Sequence, residues 1–264
     1  MQPVAPKAAT PPTVEAPDHQ AGCRSAADHH RHIGRGCLRS RIALLPVGSF
    51  EQHGQHLPLA TDTIVAAAIA AAAAETYQLM LLPPITISCS HEHAHWPGTV
   101  SITATTLQAI ITDIAASLRA SGHDRLVLVN GHGGNHVLAN VVQQASTAGP
   151  LMALFPGRDD WHNARTHAGL ATTSHDDMHA GELETSILLH LDPDLVRPGY
   201  HTADHEAPHR PHLLTLGMPG YTTSGVIGRP SAATAAKGHA VLASLVHAFA
   251  GYLNILQTPA PTDS

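Results

Sequence analysis

The sequence predicts an α/β fold organised as a single catalytic domain, and three observations lead there. Short apolar runs ended by turn residues alternate with stretches of helical periodicity. The chain has 264 residues, 43% of them hydrophobic, which suffices for one sizeable core. Finally, clusters of His, Glu and Asp fall just after predicted strands or at helix starts. Ligands gather at the carboxyl ends of strands in α/β sheets, so the clusters stand where a site is expected.

The first core strand is predicted over Ile42-Ala43-Leu44-Leu45-Pro46-Val47, a continuous apolar run closed by Gly48, as for a strand buried on both faces. A His- and Gly-rich loop follows, then an alanine-rich helix through about Tyr77 with Thr61 as its N-cap. Met80 to Cys89 reads as an extended segment interrupted at Pro83-Pro84, and Gly98 to Ile102 as another, by its alternation. Leu107, Ile110, Ile111, Ile114 and Leu118 set a helical period within Thr103 to Ser121, ended near Gly122. Arg125 to Asn130 is the clearest strand and runs directly into Gly131-His132-Gly133-Gly134-Asn135. A helix around His136 to Thr147, a strand from Leu151 to Phe155, a polar loop, a helix from about Gly181 to Leu191 and a last helix from Ser231 to Leu256 follow. The domain is thus expected over 41–257, with 258–264 as a tail. Residues 1–40 read as a disordered leader, since five prolines fall within the first 18 positions and a solvated Asp28-His29-His30-Arg31-His32 run follows.

Composition excludes several function classes. Charged residues make up 13% and the formal net charge is -6, so no basic surface is available for nucleic acid. The longest apolar stretch, Ile64 to Ala74, is about half of the roughly 20 residues that span a bilayer, so no membrane span is expected. The N-terminal residues resemble neither a secretory signal nor a lipid anchor, which leaves the cytoplasm as the expected compartment. Cys23, Cys37 and Cys89 are odd in number and far apart, against a disulfide framework or a thiolate zinc knot. Histidines number 23, and only their positions can give that count meaning.

Three clusters carry chemistry. In Ser49 to Thr63, Glu51 and His53 lie two apart at a strand end, so extended backbone aims both the same way, while glycines and Pro58 turn the chain back to present Asp62. Carboxylate oxygens with imidazole nitrogens form a ligand set for zinc or manganese; a polar loop capped by Thr61-Asp62 is the alternative. In Asn130 to His136, glycines let backbone approach a ligand closely, His132 adds a ligand, and the missing GxGxxG and Walker lysine argue against a nucleotide. In Asp176 to Ser186, Glu182 and Glu184 are two apart at a helix start and cannot share one face, so one of them at most is a ligand, unless both simply favour the positive end of the helix dipole. Between the predicted strands, His91, His93 and His95 with Glu92 and Trp96 either line a substrate pocket, His91 and Trp96 foremost, or are exposed loop residues. Cys89 reads as a small buried side chain, and Trp161 as a lid or as packing.

Taken together, Ser49-x-Glu51-Gln52-His53-Gly54-x-His56-Leu57-Pro58, Thr61-Asp62-Thr63, Pro97-Gly98-Thr99, Asn130-Gly131-His132-Gly133-Gly134-Asn135, His179-Ala180-Gly181-x-x-Glu184-Thr185-Ser186 and Gly225-Val226-Ile227-Gly228-x-Pro230 through Lys237-Gly238 resemble the creatininase (creatinine amidohydrolase) family, in order, over about residues 42–256. The resemblance implies a three-layer α/β/α sandwich with a mainly parallel central sheet, assembled as a homohexamer. It implies two divalent metal ions per chain, zinc or manganese, whose bridging hydroxide opens a C–N bond in a cyclic or linear amide. By the same resemblance Asp62 bridges the ions, Glu51 and His132 serve one, His53 and Glu184 the other, and His179 handles protons. Gly133 and Gly134, with His91 and Trp96, are expected beside the substrate.

The chain also departs from the family pattern. Creatininases carry Tyr-Glu where Gly133-Gly134 stand here, with that glutamate a metal ligand, so Glu184 is expected to take over its task and creatinine itself is not the expected substrate. The Gly-Gly form is shared with relatives that include a formamide hydrolase of flavin and deazaflavin synthesis and the peptidase of mycofactocin maturation. A metallopeptidase maturing a small modified peptide is therefore the alternative enzyme, one that needs a longer groove than a cyclic amide does. A non-catalytic metal-binding scaffold is the competing class, against which the presence of all five ligands and His179 speaks. The helix that relatives place before the first strand is not recognisable here.

Overall fold

The computed structural model describes residues 40–258. The expected leader up to residue 39, the missing helix ahead of the first strand and the tail beyond Thr258 lie outside the described residues. Four parallel strands, β1 (Ile42–Val47), β2 (Met80–Leu81), β3 (Arg125–Asn130) and β4 (Met152–Phe155), form one sheet in the order β2-β1-β3-β4. β1 and β3 pair along their whole length, Ile42 opposite Arg125 through Val47 opposite Asn130.

Side-chain alternation divides the core between two helical layers. Ile42, Leu44, Val127, Val129 and Phe155 face helices α1 (Thr61–Tyr77), α4 (Arg158–His167), α5 (Glu182–Leu191) and α7 (Ala235–Gln257). Ala43, Leu45, Val47, Leu126, Leu128 and Met152 face α2 (Ala104–Ala120) and α3 (Val137–Ala145). A short α6 (Leu213–Leu216) lies in the long connection before α7. The result is the α/β/α sandwich expected from the sequence.

Several expectations are corrected. Thr61 is not the N-cap of α1: it is the first helical residue, its hydroxyl donates to the Pro58 carbonyl at 2.7 Å, and Ala60 stands at the cap without a side-chain bond. Of the extended segment Met80 to Cys89, two residues form a strand, with a single further bridge from Ile85 to Val47. The cause is proline chemistry: Pro83 and Pro84 offer no N–H, and Pro46 of β1, whose carbonyl accepts from Ile85, has no donor to return. Gly98 to Ile102 is likewise reduced to one antiparallel bridge, Val100 to Phe50.

The expected polar loop after β4 holds α4, whose ten residues bury Ala164 and Arg165 and whose first turn is fixed by a bond from the Gly157 N–H to the Asp160 carboxylate at 2.7 Å. The last helix starts at Ala235, not Ser231, because the Thr234 hydroxyl caps it by accepting from the Lys237 N–H. This helix is long and apolar enough to cross a membrane, a property the apolar-stretch reading overlooked. Alanine supplies much of that apolarity, and Val241, Leu242, Leu245, Phe249, Leu253 and Leu256 are buried in the core.

Candidate metal centre

Four chain segments meet beyond the carboxyl ends of β1 and β3. The loop after β1 brings Glu51 and His53, the first turn of α1 brings Asp62, the loop after β3 brings His132, and the turn into α5 brings His179 and Glu184. All except Glu184, which is partly buried, are closed off from solvent. Every sequence-predicted metal ligand is thus in one place.

Asp62 stands at the centre. One carboxylate oxygen, Oδ1, is 3.1 Å from His53 Nε2; the other, Oδ2, is 3.0 Å from His132 Nδ1 and accepts from the Ser49 hydroxyl at 2.6 Å. The two oxygens therefore serve two sides of the cluster. On one side Glu51, Asp62 and His132 converge, and on the other His53, His179 and Glu184, each trio offering ligand atoms within 4.8 Å of one another. Glu51 Oε1 is 3.2 Å from His132 Nδ1 and from His93 Nε2, yet at angles that make no hydrogen bond, and both of its oxygens are buried without a partner. A carboxylate so buried and unsatisfied costs several kcal/mol on the order of the desolvation penalty unless a cation or proton compensates. Lone pairs aimed at a common point rather than at donors are the arrangement a divalent ion requires, so the residues fit the expected metal.

Electrostatics agrees with that reading. Burial lifts the Glu51 carboxyl to about 8, although His132 beside it works the other way. Burial likewise lifts Glu184 to about 7. Burial opposes charge on Asp62, but His53 and His132 outweigh it and hold the carboxyl well below its usual range. For His53 burial again opposes, and Asp62, Glu184 and Glu51 win, raising it to about 9. His132 is raised well above its ordinary value because Glu51 and Asp62 overcome burial. The cluster thus attracts positive charge strongly, as a cation site must.

Glu182 and Glu184 point in different directions. Glu182 turns away and is saturated: it accepts from the Ala171 and Thr172 N–H groups, each at 3.0 Å, from the Thr172 hydroxyl at 2.7 Å, and from Lys237. Glu184 faces inward, its Oε2 4.0 Å from His53 Nε2 and accepting the Ala180 N–H at 2.6 Å. Ala180 holds a left-handed φ of 53°, a conformation that costs a non-glycine residue about 1–2 kcal/mol and that aims His179 and Glu184 at the same space.

His179 belongs to the second trio and also lies near Glu51. Its Nε2 donates to the Gln52 carbonyl at 2.7 Å, which leaves Nδ1 as a bare nitrogen 3.8 Å from Glu51 Oε1. Burial first, then the nearby His53 and His93, lower its pKa well below the usual value, so the ring is neutral.

Sequence reasoning gave Gln52 no role and named His93 only among the candidate pocket residues. His93 is buried, sets its ring 4.4 Å from that of His179 at a tilt of 42°, and groups with Glu51 and His179 as a third potential ligand trio. Its Nδ1 accepts from the Gln52 amide at 2.8 Å. The alternation of His91, His93 and His95 was the available signal, but a three-residue 3₁₀ turn at His91–His93 replaces the extended backbone and turns His93 alone inward. His91 is exposed, with Nδ1 3.4 Å from the Ser101 hydroxyl, and Trp96 is half-buried with its ring 6.3 Å from that of His93. Gly133 is exposed with open space where a side chain would project, whereas a Cβ on Gly134 would overlap Glu92 and His132. Trp161 packs against the core, as one of its two sequence readings held.

Comparison with known proteins identifies the family. The creatininase family, described as creatinine amidohydrolase, matches residues 32–253. The mycofactocin precursor peptide peptidase of Mycolicibacterium smegmatis is 35% identical over 241 residues, covering 83% of this chain and 91% of the relative. The creatinine amidohydrolase of Pseudomonas putida is 30% identical over 175 residues, covering 59% of this chain and 66% of the relative. Among solved structures, a manganese creatininase superposes with a TM-score of 0.72 at 24% identity, covering 89% of this chain and 97% of that one. A creatininase mutant of Zn-Zn type gives 0.69 at 26% identity, with coverage of 83% and 91%. Sequence motifs, layered fold and the convergent His and carboxylate cluster all agree, and the chain belongs to the creatininase family of metal-dependent amidohydrolases.

Proposed function

We propose that the protein hydrolyses an amide bond in a short peptide, using two divalent ions, zinc or manganese, per chain. The observation that carries the two-ion reading is the split of Asp62, with Oδ1 toward His53 and Oδ2 toward His132. In this reading Asp62 would serve both ions, Glu51 and His132 would hold one, and His53 and Glu184 the other. Ions held there would supply a nucleophile from water near neutral pH and polarise the scissile carbonyl. The chain's own residues do the rest. Gln52 holds the Nε2 proton of His179, so Nδ1 is the atom that takes a proton from the attacking water and returns it to the leaving nitrogen.

The peptide, rather than a cyclic amide, is supported by two facts. The peptidase of Mycolicibacterium smegmatis matches over 91% of its length. Gly133 is exposed, with open space where a side chain would project. Hydrolysis of a small cyclic or linear amide is the second reading, supported by the creatinine amidohydrolase of Pseudomonas putida. His91 and Trp96, on the turn that carries His93, are proposed to border the substrate.

The cytoplasmic location and homohexameric assembly implied by the resemblance belong to the same proposal; light scattering that finds a monomer would remove the second. The 41–257 domain limits are likewise proposed, supported by the family match over 32–253.

The deciding experiment is His179→Ala assayed with metal analysis and with a panel of short peptides, formamides and cyclic amides. Retained metal with turnover lowered by about 10²–10⁴-fold is expected of a lost proton carrier. Loss of one metal equivalent would instead make His179 a ligand. A wild-type protein that turns over creatinine and not peptides would overturn the substrate class.

A further inference from the structure

Glu92 and Gly134 meet at the outer edge of His132. Gly134 does not have the positive φ that glycine alone tolerates, yet a Cβ on it would overlap both Glu92 Oε1 and His132 Nε2. The space is therefore needed for an approach of side chains, not for a turn. Through it the Glu92 carboxylate, on the 3₁₀ turn His91–His93, comes to 3.4 Å from His132 Nε2, and the Cys89 carbonyl accepts from the same nitrogen at 2.9 Å. The opposite ring nitrogen, Nδ1, faces Glu51 Oε1 and Asp62 Oδ2.

We propose that Glu92 is a positioning residue, a carboxylate that backs the Nε2 proton His132 donates to the Cys89 carbonyl, so that Nδ1 presents its lone pair to the ion. An imidazole has one proton to place, and the Cys89 carbonyl that accepts it, with the Glu92 charge beside it, keeps it on Nε2. A carboxylate behind a ligating histidine also raises the basicity of the ligating nitrogen, which a carbonyl does only weakly. Gly134 is then the residue that makes room for this arrangement, and Glu92 returns to the neighbourhood of residue 134 a carboxylate that the glycine cannot supply. The inference rests on His132 being a metal ligand, as proposed above.

The test is titration with Zn²⁺ against a chromophoric chelator for wild type, His132→Ala, Glu92→Gln and Glu92→Asp, with melting temperatures of the zinc-free proteins recorded beside it. Wild type is expected to bind two equivalents and His132→Ala to lose one. Glu92→Gln keeps the zinc-free melting temperature and weakens one equivalent by about 10–100-fold, the range seen when such outer partners are removed. Glu92→Asp, which keeps the charge on a shorter arm, recovers part of that loss. Wild-type zinc affinity in Glu92→Gln, with an equivalent still lost in His132→Ala, overturns the role of Glu92 and leaves the ligand reading intact. Two equivalents retained in His132→Ala overturn the ligand reading itself. A zinc-free melting temperature that falls in Glu92→Gln, with no recovery in Glu92→Asp, makes Glu92 a packing residue and likewise overturns the proposal.

Discussion

At the residue scale, the contrast between Glu182 and Glu184 shows how two like side chains two positions apart acquire opposite tasks. Glu182 is buried with four donors around it, one of them the Lys237 ammonium, so it is a structural anchor between α5, the segment before it and α7. Glu182→Gln is expected to cost about 1–3 kcal/mol of stability, the penalty for disturbing a buried charged hydrogen-bond set, while metal content stays at the wild-type level. Glu184→Gln should do the reverse, lowering metal content with little change in the melting point of the metal-free protein, since burial already raises the Glu184 carboxyl to about 7. Unfolding curves and elemental analysis of the two variants separate the roles, and a shared phenotype would defeat the distinction. Asp62→Ala is expected to remove both ions, because its two oxygens face two ligand groups; full metal content in that variant would sink the bridging assignment. The sequence exposed these residues because carboxylates and histidines at strand ends and helix starts leave a readable pattern. It hid His93 because a 3₁₀ turn, which no periodicity signals in three residues, decides which of three alternating histidines turns inward.

At the element scale, the buried strands β1 and β3 were legible from apolar runs, α2 from its 3.6-residue spacing and α1 from its alanine-rich composition. α4 was not, because only Trp161 and Ala164 give it an apolar face and its N-terminal bond comes from Asp160 reaching back to the Gly157 backbone. β2 was overread because hydrophobic alternation does not register the donors that Pro83, Pro84 and Pro46 lack. The packing of α7 on α5 carries a further consequence. A Cβ on Gly238 would overlap the Ser186 carbonyl, so the two helices approach at contact distance there. That approach seats the Thr234 N–H on the Ser186 hydroxyl at 3.2 Å and keeps α5, with Glu184 in its first turn, against the sheet. Gly238→Ala raises intrinsic helix propensity by about 1 kcal/mol but forces the helices apart, and overpacking of this kind costs about 1–3 kcal/mol. The balance is expected to be destabilising in urea unfolding; a variant more stable than wild type would show that the contact is loose.

At the scale of the whole molecule, the cluster acts as a tie between segments that are remote in sequence. The loop after β1, the first turn of α1, the loop after β3 and the turn into α5 each contribute a ligand atom, and those atoms include buried carboxylates that repel one another when no cation lies between them. Bound ions should therefore stabilise the fold as well as serve the chemistry, because a ligand that binds the native state alone adds stability by mass action. At free zinc about 100 times the dissociation constant, one ion contributes about 2.7 kcal/mol, which for a domain of this size raises the melting temperature by about 5–10 °C. Chelator-treated protein is thus expected to melt at least that far below the zinc-loaded form in calorimetry, and Asp62→Ala to show no response to either treatment. Equal melting temperatures with and without zinc would mean that the four segments are held by their apolar packing alone, and the two-ion reading of the cluster would fall with that result.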